Sequence, residues 1–192
     1  MKHSPTEGIA GFKNTTSSKS RLRSATSRRK YGIADDAFLP RMIEQCKDDE
    51  ERGLVYILYF SGMHGSVLTA LSIENLKREG MNHYYLVWKR TKTKAYMEAP
   101  VPNDKVSIIE SFLSGRKKSL QWYNVLLHRI GERAGYDAVS TMTFRHTRCI
   151  NLIKDGIPLP SVAQLMGCTE EVVMRNYGKY SELQKREMQK CE

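Results

Sequence analysis

The sequence predicts a mainly α-helical domain that carries one small antiparallel β-hairpin. Three observations predict it. Apolar residues recur at helical spacing through most of the chain after residue 34. One run, His83 to Lys89, is dense in β-formers and is answered by a second run, residues 95–101, across a polar turn. Finally, 192 residues, 40% hydrophobic and 27% charged, suffice for one domain with a real core but not for two large ones.

The folded domain is expected over residues 31–180. Asp35 or Asp36 caps a first helix whose apolar face includes Phe38, Leu39, Met42 and Ile43. The acidic residues 48–51 open a second helix, because carboxylates suit its positive end; it runs through Leu54, Ile57 and Leu58 to Gly62. A short helical piece follows over 66–76. In the hairpin, residues 90–94 make the turn, Lys92 and Lys94 give it a cationic tip, and Pro100 and Pro102 stop the returning strand. Further helices are predicted over 104–113, 120–134, 143–154, 159–166 and 170–177. Residues 181–192 form a polar, mixed-charge tail.

Thirty-one Lys and Arg against 21 Asp and Glu give a net charge of +10, which favours a polyanionic partner. The excess is concentrated in residues 1–30, where Lys13, Lys19, Arg21, Arg23, Arg28, Arg29 and Lys30 are answered only by Glu7. Apolar residues are too sparse there to bury a core, so a flexible arm is expected. It either tracks a phosphate backbone, with Arg28, Arg29 and Lys30 as contacts, or simply solubilises the chain. The four cysteines, Cys46, Cys149, Cys168 and Cys191, include no close pair and fit a reduced, intracellular protein. The longest apolar run, residues 53–63, is too short to span a bilayer, and the N-terminus lacks the apolar core of a signal peptide. A cytoplasmic protein with no membrane partner is therefore expected.

Three constellations can carry chemistry. Thr143-Phe-Arg-His-Thr147 opens a helix, with Arg145 and His146 in its first turn. Amides at a helix start favour an anion, and an arginine adds a planar fork matched to phosphate oxygens. Equally, the pair is a surface arginine beside a satisfied histidine. The second constellation is Leu165 to Tyr177: a helix ends at Gly167, a turn follows, and another helix carries Tyr177 near its end. Tyr177 is either a functional hydroxyl or a half-buried core aromatic. Ala163, Gly167 and Val173 also have the spacing of a helix-turn-helix, which would make Arg175 a DNA contact. The third is Phe60-Ser-Gly-Met-His-Gly-Ser-Val-Leu68, followed by the hairpin lysines.

Taken in chain order, the constellations resemble the tyrosine recombinase, or phage-integrase, family over about residues 35–180. Ser61-Gly-Met-His-Gly-Ser-Val-Leu-Thr-Ala-Leu71 matches the family's Gly-Leu/Met-Arg turn and following helix. Met142-Thr-Phe-Arg-His-Thr147 matches its His-x-x-Arg-His-Thr. Met166-Gly-Cys168 matches its Leu-Gly-His, with Tyr177 nine positions beyond Cys168, where the family has its nucleophile. His64, Met142 and Cys168 depart from the family's arginine and two histidines. Gly-Met-His with Phe-Arg-His-Thr-Arg-Cys also looks like integrase-like proteins of archaeal chromosomes, plasmids and viruses.

The resemblance implies the tyrosine recombinase catalytic-domain fold and a homo-oligomer acting on double-stranded DNA, associated with the nucleoid. It implies that Tyr177 forms a 3′-phosphotyrosyl bond, with no metal or cofactor required. Arg145 would clamp the phosphate, and Lys92, or failing it Lys94, would protonate the 5′-oxygen. His64 would stand in the first arginine's place, His146 would bond the phosphate or orient neighbours, and Cys168 would be a weak donor. The alternative is an impaired or inactive recombinase-fold DNA-binding protein, or a helix-turn-helix regulator.

Overall fold

A computed structural model of the chain describes residues 33–91 and 93–189, with backbone only over 182–189. The first helix, α1 (Phe38–Glu44), begins differently from expectation. Asp35 accepts the Ala37 N–H at 2.9 Å in a turn ahead of the helix, and Ala37 itself is the N-cap. The acidic start at residue 48 behaves as its charges dictate. Asp48 caps helix α2 (Asp49–Ser61) by accepting the Glu51 N–H at 2.8 Å, and Gly62 closes it in the left-handed conformation. Leu54, Val55, Tyr56, Ile57 and Leu58 are consecutive in α2 and all buried, so this helix is covered on every side.

The piece expected over 66–76 is three short elements. Helix α3 (Gly65–Leu68) is capped by His64, a 3-10 turn covers Ile73–Asn75, and strand β1 (Leu76–Glu79) follows. With β2 (His83–Lys89) and β3 (Tyr96–Val101) it makes a three-stranded antiparallel sheet in the order β1-β2-β3, not a lone hairpin. Strand β1 is Leu-Lys-Arg-Glu, three of its four residues exposed, so it shows no apolar alternation. Pro100 does not stop β3 but sits within it, opposite Tyr85. β3 is an edge strand, where a missing N–H is tolerated. Leu86, Trp88, Ala99 and Val101 all lie buried on the inner face.

A second 3-10 turn (Asn103–Lys105) leads into α4 (Val106–Ser114), then α5 (Leu120–Arg133), α6 (Thr141–Lys154), α7 (Leu159–Met166) and α8 (Glu170–Gln189). Helix α8 runs straight through residue 181, where a polar tail was expected, and so places Tyr177 mid-helix rather than near an end. Among the described residues no helix is long and apolar enough to cross a membrane.

Helix α2 packs on α4 so closely that no side chain fits between them at Gly53. A methyl group there would lie 2.6 Å from Phe112 Cβ and 2.9 Å from the Ile108 carbonyl oxygen. Gly53→Ala is expected to destabilise the domain by about 1–3 kcal/mol, because overpacking outweighs the gain of under about 1 kcal/mol in helix propensity. A thermal melt showing Gly53→Ala as stable as wild type would refute this close packing.

The core forms two clusters joined by α6. Phe144 belongs to the larger one, with Phe38, Leu54 and Leu127, whereas Cys149, Ile150, Leu152 and Ile153 belong to the smaller one, with Val162, Val173 and Tyr177. Arg145 and His146 fall on α6 where one cluster gives way to the other.

Candidate functional site

A cavity of about 260 Å³ opens where α2, α3, the sheet, α6 and α7 meet. Its walls include His64, Ser66, Trp88, Arg90, Arg145 and Met166, and among the described residues no Asp or Glu lines it.

Arg145 enters from α6. That helix starts at Thr141, with Ser140 and Thr143 forming a capping box, so Arg145 and His146 lie in its second turn and not in its first. The free amides of the helix start are therefore not at Arg145. Instead its guanidinium is held by carbonyls: it donates to Gly62 O at 2.9 Å and to Met166 O at 2.5 Å. Gly62 caps the C-terminus of α2, and Met166 ends α7. Both are places where carbonyls lack helical partners and the helix dipole is negative. Arg145 makes no ion pair among the described residues. Burial lowers its pKa, yet a guanidinium stays charged, and two of its five N–H groups suffice for these bonds. The cavity thus receives a partly desolvated cation with donors to spare.

Tyr177 projects from α8 into the smaller core, and its hydroxyl hydrogen-bonds His146 Nδ1. Burial, more than any neighbouring charge, pushes the Tyr177 pKa up, so the hydroxyl keeps its proton. Burial, then Arg145, pulls the His146 pKa below 6.5, so the imidazole is neutral near neutral pH. The geometry and the charges agree: a protonated phenol donates to a neutral imidazole. Tyr177 and His146 do not line the cavity; Arg145, adjacent to His146 in sequence, connects the two groups.

His64 is exposed at the cavity wall. Its Nδ1 accepts the Ser66 N–H at 3.3 Å, capping α3, and lies 3.0 Å from Ser66 Oγ. Cys168 lies half-buried in the turn between α7 and α8, outside the cavity wall, with its pKa raised chiefly by burial. Lys94 is exposed and left-handed (φ 57°) in the hairpin turn, and Arg175 is exposed on α8; neither lines the cavity. Lys92, Arg28, Arg29 and Lys30 lie outside the described residues.

Sequence reasoning passed over Arg90. It follows β2, lines the cavity, and its guanidinium packs on Gly167: a methyl group there would meet Arg90 Cζ at 2.9 Å. Gly167 is left-handed (φ 60°), which removes the side chain that would otherwise occupy this place. The available signal was an arginine at the hairpin's base, close in sequence to the lysines.

No family model and no curated protein matches the chain. Solved structures do. XerH site-specific recombinase, bound to palindromic difH substrate in a post-cleavage complex, matches with a TM-score of 0.68 and 16% identity, over 88% of this chain and 54% of that one. XerA recombinase matches at 0.66 and 15% identity, over 82% of this chain and 64% of that one. The catalytic domain of bacteriophage HP1 integrase matches at 0.59 and 18% identity, over 79% and 89% respectively. The chain spans about half the length of the XerH structures it matches. Helix order, the small antiparallel sheet and these matches together give the chain the fold of the tyrosine recombinase catalytic domain.

Proposed function

We propose that the chain breaks and rejoins double-stranded DNA through a 3′-phosphotyrosyl intermediate on Tyr177. The observation that carries this reading is one helix, α6, presenting a half-buried arginine, without a carboxylate partner among the described residues, to a cavity and, at the next residue, a neutral histidine to a tyrosine hydroxyl. The Tyr177 oxygen forms the new bond to phosphorus as the bond to the 5′-oxygen breaks. His146 takes the phenolic proton; a hairpin lysine, Lys92 or Lys94, gives one to the leaving oxygen. Arg145 stabilises the charge on the non-bridging oxygens. Rejoining runs the same steps backwards. The basic arm and exposed Arg175 add phosphate contacts, and a homo-oligomer assembles on DNA.

The test is a covalent trap. Full-length protein is incubated with supercoiled DNA carrying its genomic neighbourhood, denatured and digested. The expected result is a peptide containing Tyr177 joined to a nucleotide 3′-phosphate. An adduct mapped to another side chain sinks the assignment.

One observation favours a second reading. Ala163 and Val173 are buried across the left-handed Gly167 turn, as a helix-turn-helix regulator would require. In that case Arg175→Glu weakens sequence-specific binding and no adduct forms.

A base role for His146 predicts the pH profile. Cleavage is lost only as His146 protonates, so the acid limb falls below pH 6.5. Stability follows the same sign. Because the folded pKa is depressed, this contribution is present above the unfolded value and lost as pH falls through the folded one. Adduct rates measured from pH 5 to 8 check it; a midpoint above 6.5 removes His146 as the base.

A further inference from the structure

We propose that Arg90 is a second phosphate-binding guanidinium of this cavity, facing the same anion as Arg145. The identity of that anion as a DNA phosphodiester rests on the recombinase reading; the anion site itself does not. Arg90 is anchored at its backbone: its N–H donates to Ala95 O at 2.9 Å and its carbonyl accepts from Lys94 N–H at 3.1 Å. Its half-buried side chain lies along Gly167, one residue beyond the carbonyl that holds Arg145. Yet the Arg90 guanidinium has no hydrogen bond or ion pair among the described residues.

Two guanidinium groups thus share one cavity whose described wall contains no carboxylate. Burial first, and Arg90 among the neighbouring charges, lower the Arg145 pKa. Like charges held this way are stabilised by an anion placed between them, and two planar forks suit the oxygens of one tetrahedral phosphate. A purely structural arginine would instead spend its donors on carbonyls or a carboxylate, as Arg145 partly does and Arg90, among the described residues, does not.

The probe is inorganic pyrophosphate, titrated at low salt into the full chain and read by Trp88 emission, since Trp88 shares the cavity. Trp122→Phe removes the other tryptophan. Arg90→Ala and Arg90→Gln are expected to weaken binding about 10-fold or more. Arg116→Ala, an exposed arginine outside the cavity, should leave it unchanged. Thermal melts confirm folding, and the Gln variant keeps the stem if the Ala variant unfolds. Arg90→Gln should also slow adduct formation about 10²-fold. Variants that titrate like wild type, or a wild-type cavity that takes no anion, overturn the proposal. Loss of pyrophosphate binding alongside a wild type that forms no DNA adduct retains Arg90 as an anion ligand and removes the recombinase reading. Unchanged pyrophosphate binding with a normal adduct does the reverse.

Discussion

Tyr177→Phe is expected to abolish the covalent adduct while leaving duplex binding almost unchanged. The substitution removes one oxygen and keeps the ring, which is buried in the smaller core with Val162 and Val173. Tyr177 does not line the cavity, so the arginines that line it stay in place. The expected stability cost is about 1 kcal/mol, because His146 Nδ1 loses its partner in a half-buried position. For a domain of this size that corresponds to a fall in Tm of a few degrees. Gel shift, denaturing gel and thermal melt on the same samples separate these effects. A variant that still forms the adduct sinks the nucleophile assignment. One that melts lower but has no cleavage to lose is a core aromatic of a DNA-binding protein.

Arg145→Ala is expected to reduce cleavage by about 10²–10³ or more, the usual loss when one transition-state donor is removed. It should also loosen the fold, since the guanidinium joins the ends of two helices by donating to Gly62 O and Met166 O. Arg145→Lys keeps a positive charge but lacks the planar fork that reaches both carbonyls, so it should recover little cleavage. Single-turnover cleavage, corrected for the folded fraction by circular dichroism, is the measurement. Full activity in the alanine variant would falsify the phosphate role.

The helices closed by a left-handed glycine were legible in the sequence. Asp48 and Gly62 bound α2 as expected, α7 has its predicted limits, and β2 matches residue for residue. Strand β1 was not legible, because an edge strand exposed on three of four residues carries no apolar alternation. Its pairing with β2 is a tertiary matter, braced by Arg78 donating to Gly80 O and Met81 O around the connecting turn. The continuation of α8 past residue 181 was missed because a mixed-charge helix has no apolar stripe to betray it.

In the site, Arg145, His146 and Tyr177 were identified as residues, but not their geometry. No spacing rule says that Tyr177 bonds His146, or that two helix C-termini hold Arg145. Arg90 was hidden for a related reason: its partner across the cavity is distant in sequence, and only folding brings the two together.

The unbroken course of α8 makes the candidate nucleophile a point on one continuous helix. Twenty residues make a rod of about 30 Å, and Tyr177 sits about 10 Å from the end next to the Gly167 turn. A tilt of ~10° about that turn carries Tyr177 about 2 Å and the far end about 5 Å. Whatever grips the far end, a neighbouring subunit or a fused tag, therefore sets the tyrosine's reach with mechanical advantage.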